Sequence, residues 1–371
     1  SPSTHTNIQQ IERWKMYPKL RFGHSIIKIK NNRFIIGSIT QGISNTIHDP
    51  SGNFKNLNEI LTGEYTIDEV VIKTSKILGL TPKNSRKIIE SLITMGHIED
   101  GFFLKSSTKS NRYSRSREFF SWIDTSGSSD PFRVQNILSS SKIVIVGLGG
   151  IGGSVAMNLA SSGVSQIHIV DFDNVEESNL NRQILYTEKD LGLKKSTAAM
   201  KNLQKINSKI LITSEDKKIT SSDDLIKYFN EYDLVYRCAD SPDDIPFWFS
   251  DASLKSGKPW IDASYNGPII NCCIYDPKVT GCYRCIRESN LRNMTRLGYE
   301  EAHTDKVPEI NAAISPIVLI SGSLAAYEGI RYLAKLKPQS LGKAIHQNMF
   351  DYSNSYTVEI PHECQHRATQ E

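Results

Sequence analysis

No run of apolar residues in this chain approaches the length of about 18 that a membrane-crossing helix needs, so no membrane span is expected. The opening stretch, SPSTHTNIQQIERWKMYPKL, lacks the apolar core of a secretory signal. Cysteine is scarce, 6 in 371 residues. That argues against a disulfide framework and suits a reducing, cytoplasmic setting. The formal net charge is only +4, so bulk electrostatics make no case for a nucleic-acid partner. Hydrophobic and charged contents of 39% and 23% are those of an ordinary globular chain, long enough for one large domain and a smaller one.

What the chain does contain is concentrated between 141 and 195. An apolar β-branched run at 143–146 reads as a buried parallel strand. Gly147, Gly149 and Gly152 follow at G-x-G-x-x-G spacing, with Gly150 inside the loop and a helix pattern over 155–162. Glycine there lets the backbone turn tightly and approach a phosphate at a helix N-terminus. A second strand at 167–170 ends in Asp171, where a carboxylate can take a ribose hydroxyl. Beyond it come Asp173, Asn179, Arg182 and Lys195. A hydride-transfer site has no use for so many phosphate-neutralising cations and potential Mg2+ ligands, whereas an ATP site working on the α-phosphate does.

Ahead of this core, 21–30 and 33–39 read as strands around the turn pair Asn31-Asn32. Helices are expected at 56–61, 67–78 and 82–95, with Thr66 and Thr81 as N-caps and Pro82 in the first helical position. A return hairpin is expected over 97–104 around Asp100-Gly101. Strands, helices and wing together suggest a small winged-helix-like unit. Lys83, Arg86 and Lys87 on the 82–95 helix do not amount to a basic recognition helix. The Ser/Thr/Asn/Arg-rich stretch 105–130 reads as a linker. Further strands are expected at 210–213, 233–238, 260–263, 269–275, 342–350 and 355–360, and helices at 196–206, 223–228 and within 314–336.

V-G-L-G-G-I-G at 146–152, D-F-D-N-V-E-E-S-N-L-N-R-Q at 171–183, G-L-K-K at 192–195 and D-L-V-Y-R-C-A-D at 233–240 occur in that order. Together they resemble the ubiquitin-activating-enzyme-like adenylating superfamily. Its members include the molybdopterin and thiamine sulfur-carrier activators and a peptide-adenylating enzyme of microcin C synthesis. The resemblance covers roughly 112–335. It implies a Rossmann-like doubly wound α/β sheet, ATP and Mg2+, with Asp240 holding the metal. It also implies that Arg182, Lys195 and an arginine of the N-R-Y-S-R element at 111–115, Arg115 in first place, meet the triphosphate. In the family that arginine comes from the other subunit, which implies a homodimer. The polar stretch 287–307 corresponds to a family segment that crosses the active site.

Cys282 and Cys285 stand at C-x-x-C spacing, which suits one structural Zn2+. The family's second C-x-x-C is replaced here by P-H-E-C-Q-H at 361–366, so Cys364 is the third ligand candidate, and His362 and His366 compete for the fourth place. Cys272 and Cys273 read as core residues; a nucleophilic role for these or Cys238 stays open.

The expected organisation is an extension at 1–19, a leader-peptide recognition domain at 20–104, a linker with the trans arginine at 105–135 and an ATP-binding adenylation domain with a zinc knuckle at 136–371. Family members that modify ribosomal peptides carry such an N-terminal unit, where a leader adds a strand to a sheet edge. The expected function is activation of a carboxylate of a ribosomal precursor peptide. The carboxylate is either the peptide C-terminus or an Asp/Glu side chain that cyclises with loss of water, as in the pantocin A pathway. The alternatives are a sulfur-carrier protein with a C-terminal Gly-Gly, a non-catalytic peptide scaffold and, weakest, an NAD oxidoreductase.

Overall fold

The computed structural model describes residues 16–105, 110–296 and 312–367. The chain divides into two compact units, Ser1–Ile137 and Leu138–Glu371.

In the first unit, β1 (Pro18–Leu20) precedes an antiparallel sheet of β2 (Ser25–Ile29), β3 (Arg33–Ser38) and β4 (Ile43–His48). The β2–β3 turn is the expected asparagine pair, with φ of 62° and 51° at Asn31 and Asn32. Such left-handed pairs match the twist of the flanking strands. β4 is an edge strand whose residues are mostly exposed, so it shows no apolar alternation in the sequence. Of the expected helix at 56–61, residues 56–59 belong to a 3-10 helix, Phe54–Glu59, and no α-helix forms there. Helices α1 (Ile67–Leu78) and α2 (Pro82–Thr94) begin as the sequence implies. Thr66 and Glu69 form a reciprocal capping box, and Thr81 caps α2 through Asn84 N at 3.3 Å. Val70, Val71, Ile89 and Leu92 close over Phe34 and Ile36.

Two further expectations for this unit are corrected. No hairpin forms at 97–104: β5 (Ile98–Asp100) pairs antiparallel with β1, and one helical turn, Phe102–Lys105, follows. The reason lies in Asp100, whose Oδ1 accepts from Tyr17 N and Phe102 N at 2.9 Å each and so caps a helix start. The stretch read as a linker contains α3 (Ser114–Ile123). Its end is held to the strands, where Trp122 Nε1 donates to Ser38 Oγ at 2.8 Å and Ser121 Oγ accepts from Phe22 N at 3.2 Å.

The second unit is an eight-stranded sheet in the order β13-β12-β11-β10-β9-β6-β7-β8. Its parallel half comprises β6 (Lys142–Val146), β7 (Gln166–Val170), β8 (Leu211–Glu215), β9 (Leu234–Arg237) and β10 (Trp260–Asn266). Strand order reverses at β6, the switch point beside which doubly wound sheets bind ligands. Antiparallel β11 (Ile269–Tyr275), β12 (Lys343–Asn348) and β13 (Tyr356–Glu359) extend one edge. Helices α4 (Gly150–Ser162), α5 (Lys195–Ile206), α6 (Asp223–Glu231), α7 (Ile245–Ser256), α8 (Tyr283–Arg296) and α9 (Ser315–Leu333) complete the unit. Both faces of β9–β10 are covered. Tyr236 reaches the Ala325 carbonyl of α9 at 3.2 Å, while the neighbouring Trp260 packs on Phe249 of α7 with ring centroids 5.4 Å apart. Of the expected crossing segment 287–307, residues 287–296 belong to α8, and the rest lie outside the described residues.

The first unit buries a histidine pair. His24 and His97 meet through Nδ1 at 3.1 Å, His24 Nε2 donates to Trp122 O at 2.8 Å, and His97 Nε2 meets Asn45 at 2.6 Å. Burial, and then the neighbouring His24, lowers the His97 pKa from 6.5 to about 4. Between those values the unfolded chain binds the additional proton, so stability from the neutral ring is full above about 6.5 and is lost as pH falls toward 4. Protection factors of the first unit's amides, taken relative to the intrinsic exchange rate at each pH, are therefore expected to fall over that window. A His97→Gln chain is expected to show a flatter pH dependence.

Candidate active site and metal centre

The carboxyl ends of β6, β7, β8, β9 and β10 open into a cleft of about 310 Å³. Of the residues singled out in the sequence, Gly147, Gly149, Gly150, Asp171, Asp173, Asn179, Arg182, Lys195 and Asp240 all line it. Gly152 lies behind the loop: a Cβ there would sit 1.8 Å from Gly147 O. Gly147 has φ +92°, and a Cβ on it would come within 2.5 Å of Ala239 N. Gly149 precedes α4 and is different, since the nearest atom to a Cβ there is Gln183 Nε2 at 3.6 Å. Packing does not demand glycine at 149. A bare backbone leading into a helix N-terminus on a cleft fits the close approach of an anion.

Asp171 is buried at the end of β7. Its Oδ2 accepts from Leu148 N at 2.6 Å and its Oδ1 from Asp173 N at 2.8 Å. Burial pushes its pKa up, against the pull of these amides and of Lys195. Lys195, itself 6% exposed, places Nζ 3.3 Å from the open Asp173. Asn179 is partly committed to structure, because its Oδ1 accepts from Glu176 N at 2.9 Å and closes a short 3-10 turn. The Arg182 Nη1 donates to Ser178 O at 3.0 Å and to Asn181 Oδ1 at 2.9 Å, which fixes the guanidinium at the rim. Asp240 is exposed and has no ion pair among the described residues. A carboxylate so placed, among cations that neutralise phosphate, fits a hydrated Mg2+. Arg115 stands in the first turn of α3, in the other unit.

Arg237, Tyr265 and Lys217 are lining residues to which the sequence reading gives no role. Arg237 forms a buried ion pair with Asp262 of β10, and its Nη1 donates to Ala239 O at 2.7 Å, holding the segment that carries Asp240. Tyr265 continues β10 into the cleft. Lys217 lies two residues beyond β8. Their sequence signal is position just past, or at, the carboxyl end of a parallel strand, and for Arg237 also its place inside the D-L-V-Y-R-C-A-D stretch. Cys238 also lines the cleft, and burial pushes its thiol up to about 12. Burial raises Cys272 and Cys273 as well. Burial thus disfavours the thiolate form of all three.

The ligand atoms of Cys282, Cys285, Cys364 and His366 lie within 4.8 Å of one another, so the structure selects His366 over His362. The two sulfurs of the C-x-x-C pair are 3.7 Å apart, and His366 Nδ1 is 3.4 Å from each. Tetrahedral Zn2+ with bonds of about 2.3 Å to sulfur and about 2.0 Å to nitrogen would set these at about 3.8 Å and 3.5 Å. His366 Nε2 meets Glu288 at 3.0 Å, an outer partner of the kind that orients metal-bound imidazoles. Burial pushes the Cys282 thiol up to about 12 where no cation balances it. Gly281 is required by close passage of the C-terminal segment, since a Cβ there would lie 2.3 Å from Pro361 O.

Curated relatives include the "Adenylyltransferase and sulfurtransferase MOCS3" of Xenopus laevis, 32% identical over 40% of this chain and 33% of that protein. The "Sulfur carrier protein adenylyltransferase" of Thermus thermophilus is 33% identical over 41% of this chain and 57% of that protein. The chain thus spans between a third and somewhat over half of these relatives. Among solved structures, E. coli MccB with ATP superposes with a TM-score of 0.73 at 24% identity, covering 93% of this chain and 97% of that one. PaaA superposes with a TM-score of 0.59 at 24% identity, covering 75% and 92%. At such identities the likeness speaks for the fold. The ThiF family model matches residues 113–368, which include the glycine turn, Asp171, Arg182, Lys195, Asp240 and the Cys/His cluster, and the chain belongs to the ThiF family.

Proposed function

We propose that this chain activates a carboxylate of a precursor peptide by adenylation with ATP. The observation that carries the reading is the gathering of Asp171, Arg182, Lys195 and Asp240 around a glycine turn at the switch point of the sheet. A peptide carboxylate oxygen attacks the α-phosphorus, an acyl-phosphate bond forms, and the bond to the β-phosphate oxygen breaks with release of pyrophosphate. The carboxylate is already ionised, so no general base is needed. Lys195 and Arg182 meet charge that builds on the phosphates, and Asp171 holds the ribose. Asp240 would hold Mg2+, which supplies further charge neutralisation.

The first unit supports a peptide over a folded carrier. Edge strand β4 offers an unpaired backbone, and beside it a cavity of about 360 Å³ is lined by Ile47, Phe54, Leu78, Ile88, Leu92 and Met95. An extended leader can add a strand there and place an apolar side chain in the groove. The structures of MccB with ATP and with N-formylated MccA, and the likeness to PaaA, support this reading. The curated relatives favour the second reading, a sulfur carrier.

Peptides encoded beside the gene, supplied with ATP and Mg2+, are expected to yield pyrophosphate and a leader-dependent mass change. Asp240→Asn is expected to lower the rate roughly a hundredfold or more. Release of orthophosphate would replace the adenylate with an acyl phosphate, and turnover of a Gly-Gly carrier alone would overturn the peptide reading. Arg115 is assigned to the partner's site in a homodimer. Mixing equal amounts of Arg115→Ala and Asp240→Asn chains is then expected to restore about a quarter of native activity, since half the dimers carry one intact site. No restoration would place Arg115 in its own chain's site or outside the chemistry. Cys282, Cys285, Cys364 and His366 are assigned to a structural Zn2+. Elemental analysis should find about one zinc per chain, absent from Cys285→Ser, with a lower melting temperature for that variant.

A further inference from the structure

We propose that Lys217 is a binding residue for the purine base, its ammonium donating to a ring nitrogen; this rests on the nucleotide reading of the cleft given above. Nothing in the phosphate chemistry requires this lysine. Its position follows from the order of strand ends. Across the sheet, the glycine turn and the start of α4 lie at β6, Asp171 at β7, and Lys217 and Ile219 just beyond β8. A nucleotide with phosphates at the turn and ribose at Asp171 runs on toward β8, and its base arrives there.

The lining at that end suits a heteroaromatic ring. Phe172, 42% exposed, and the buried Ile219 supply apolar surface, and Lys217 supplies an ammonium. The lysine is held in place. Its Nζ lies 3.0 Å from Asp224 Oδ1, while Asp224 Oδ2 accepts from Thr220 N and Oγ1 at 2.8 and 2.9 Å. The Thr220 amide above all keeps the Asp224 carboxyl down at about 2, so its charge persists across the working pH range. An ammonium has three N–H donors, and Asp224 at that distance occupies one. The loop itself is tied to the segment after β7: Lys194 pairs with Asp216 at 3.3 Å and donates to Phe172 O at 3.0 Å, and Lys218 lies 5.3 Å over the Phe172 ring. The donor is therefore pre-positioned, which makes it a contact for selectivity as well as affinity.

The test is calorimetric binding of ATP, AMP and adenosine to the full chain, native and Lys217→Met, followed by the 1-, 3- and 7-deaza analogues of AMP. The substitution is expected to weaken ATP, AMP and adenosine by a similar factor of about ten. One of the three deaza analogues is expected to bind the native chain about ten times more weakly than AMP and to be indifferent to the substitution. Lys217→Arg should keep most of the affinity, which separates a lost donor from a damaged fold. A loss confined to ATP would make Lys217 a phosphate contact and overturn the proposal. So would an unchanged affinity, or a substitution effect that persists with all three analogues. If the native chain binds no adenine nucleotide, it is the nucleotide reading that fails.

Discussion

The second unit depends on one backbone-to-backbone contact. The turn after β6 closes so tightly that no atom heavier than hydrogen fits on Gly152 beside Gly147 O, and Gly147 itself lies against Ala239 of the neighbouring strand end. The segment between them is held from two more sides. Asp171 takes the Leu148 amide, and the Tyr186 hydroxyl donates to the Leu148 carbonyl at 2.8 Å. With both polar groups of residue 148 engaged, the turn presents the start of α4 to the cleft in one conformation. The neighbouring strand ends and the segment that carries Asn179 and Arg182 are thereby brought together around the cleft.

A second fixed element lies across the cleft. The Arg237–Asp262 pair is buried between β9 and β10, where taking two charges out of water offsets much of their attraction. Its value lies in position. The guanidinium also takes the Ala239 carbonyl, so the pair sets the path of the chain into Asp240. Exposed pairs such as Lys255–Asp223 and Arg86–Asp68 do no comparable positioning, and their stabilisation is a few tenths of a kcal/mol at most, about 0.5 or less.

Much of this architecture is legible in the residues. The parallel strands are apolar runs, the glycine spacing marks the switch point, and Thr66, Thr81 and the Asn31-Asn32 pair announce their caps and turn by local chemistry alone. Strand β4 is hidden because an edge strand with exposed side chains needs no alternation. Helix α3 is hidden because Ser and Arg dominate its first turn, while Phe120 and Trp122, which dock it, come late. Asp100-Gly101 misleads because one aspartate oxygen is shared between Phe102 nearby and Tyr17, far away in sequence. Of the residues with a motif, most line the cleft, while Gly152 lies behind the loop and Arg115 stands in the other unit. Tyr265 and Lys217 become visible only once the strand order shows which ends are neighbours, and Arg237, though it stands inside the D-L-V-Y-R-C-A-D stretch, shows its pairing with Asp262 only then. The choice of His366 over His362 likewise needs the path of the chain over Gly281.

That path has a practical reach. Within the described residues, the C-terminal segment is buckled down at three points: Pro361 over Gly281, His366 among the cysteines with Glu288 behind it, and Arg367 on the Thr280 carbonyl at 2.6 Å. The buckle fastens the segment after edge strand β13 to the foot of α8. Any chain beyond Arg367 leaves from that buckle. A polyhistidine tag added on that side would set rival imidazoles near Cys364 and His366, so a zinc titration of the cluster reads cleanly only on preparations without one.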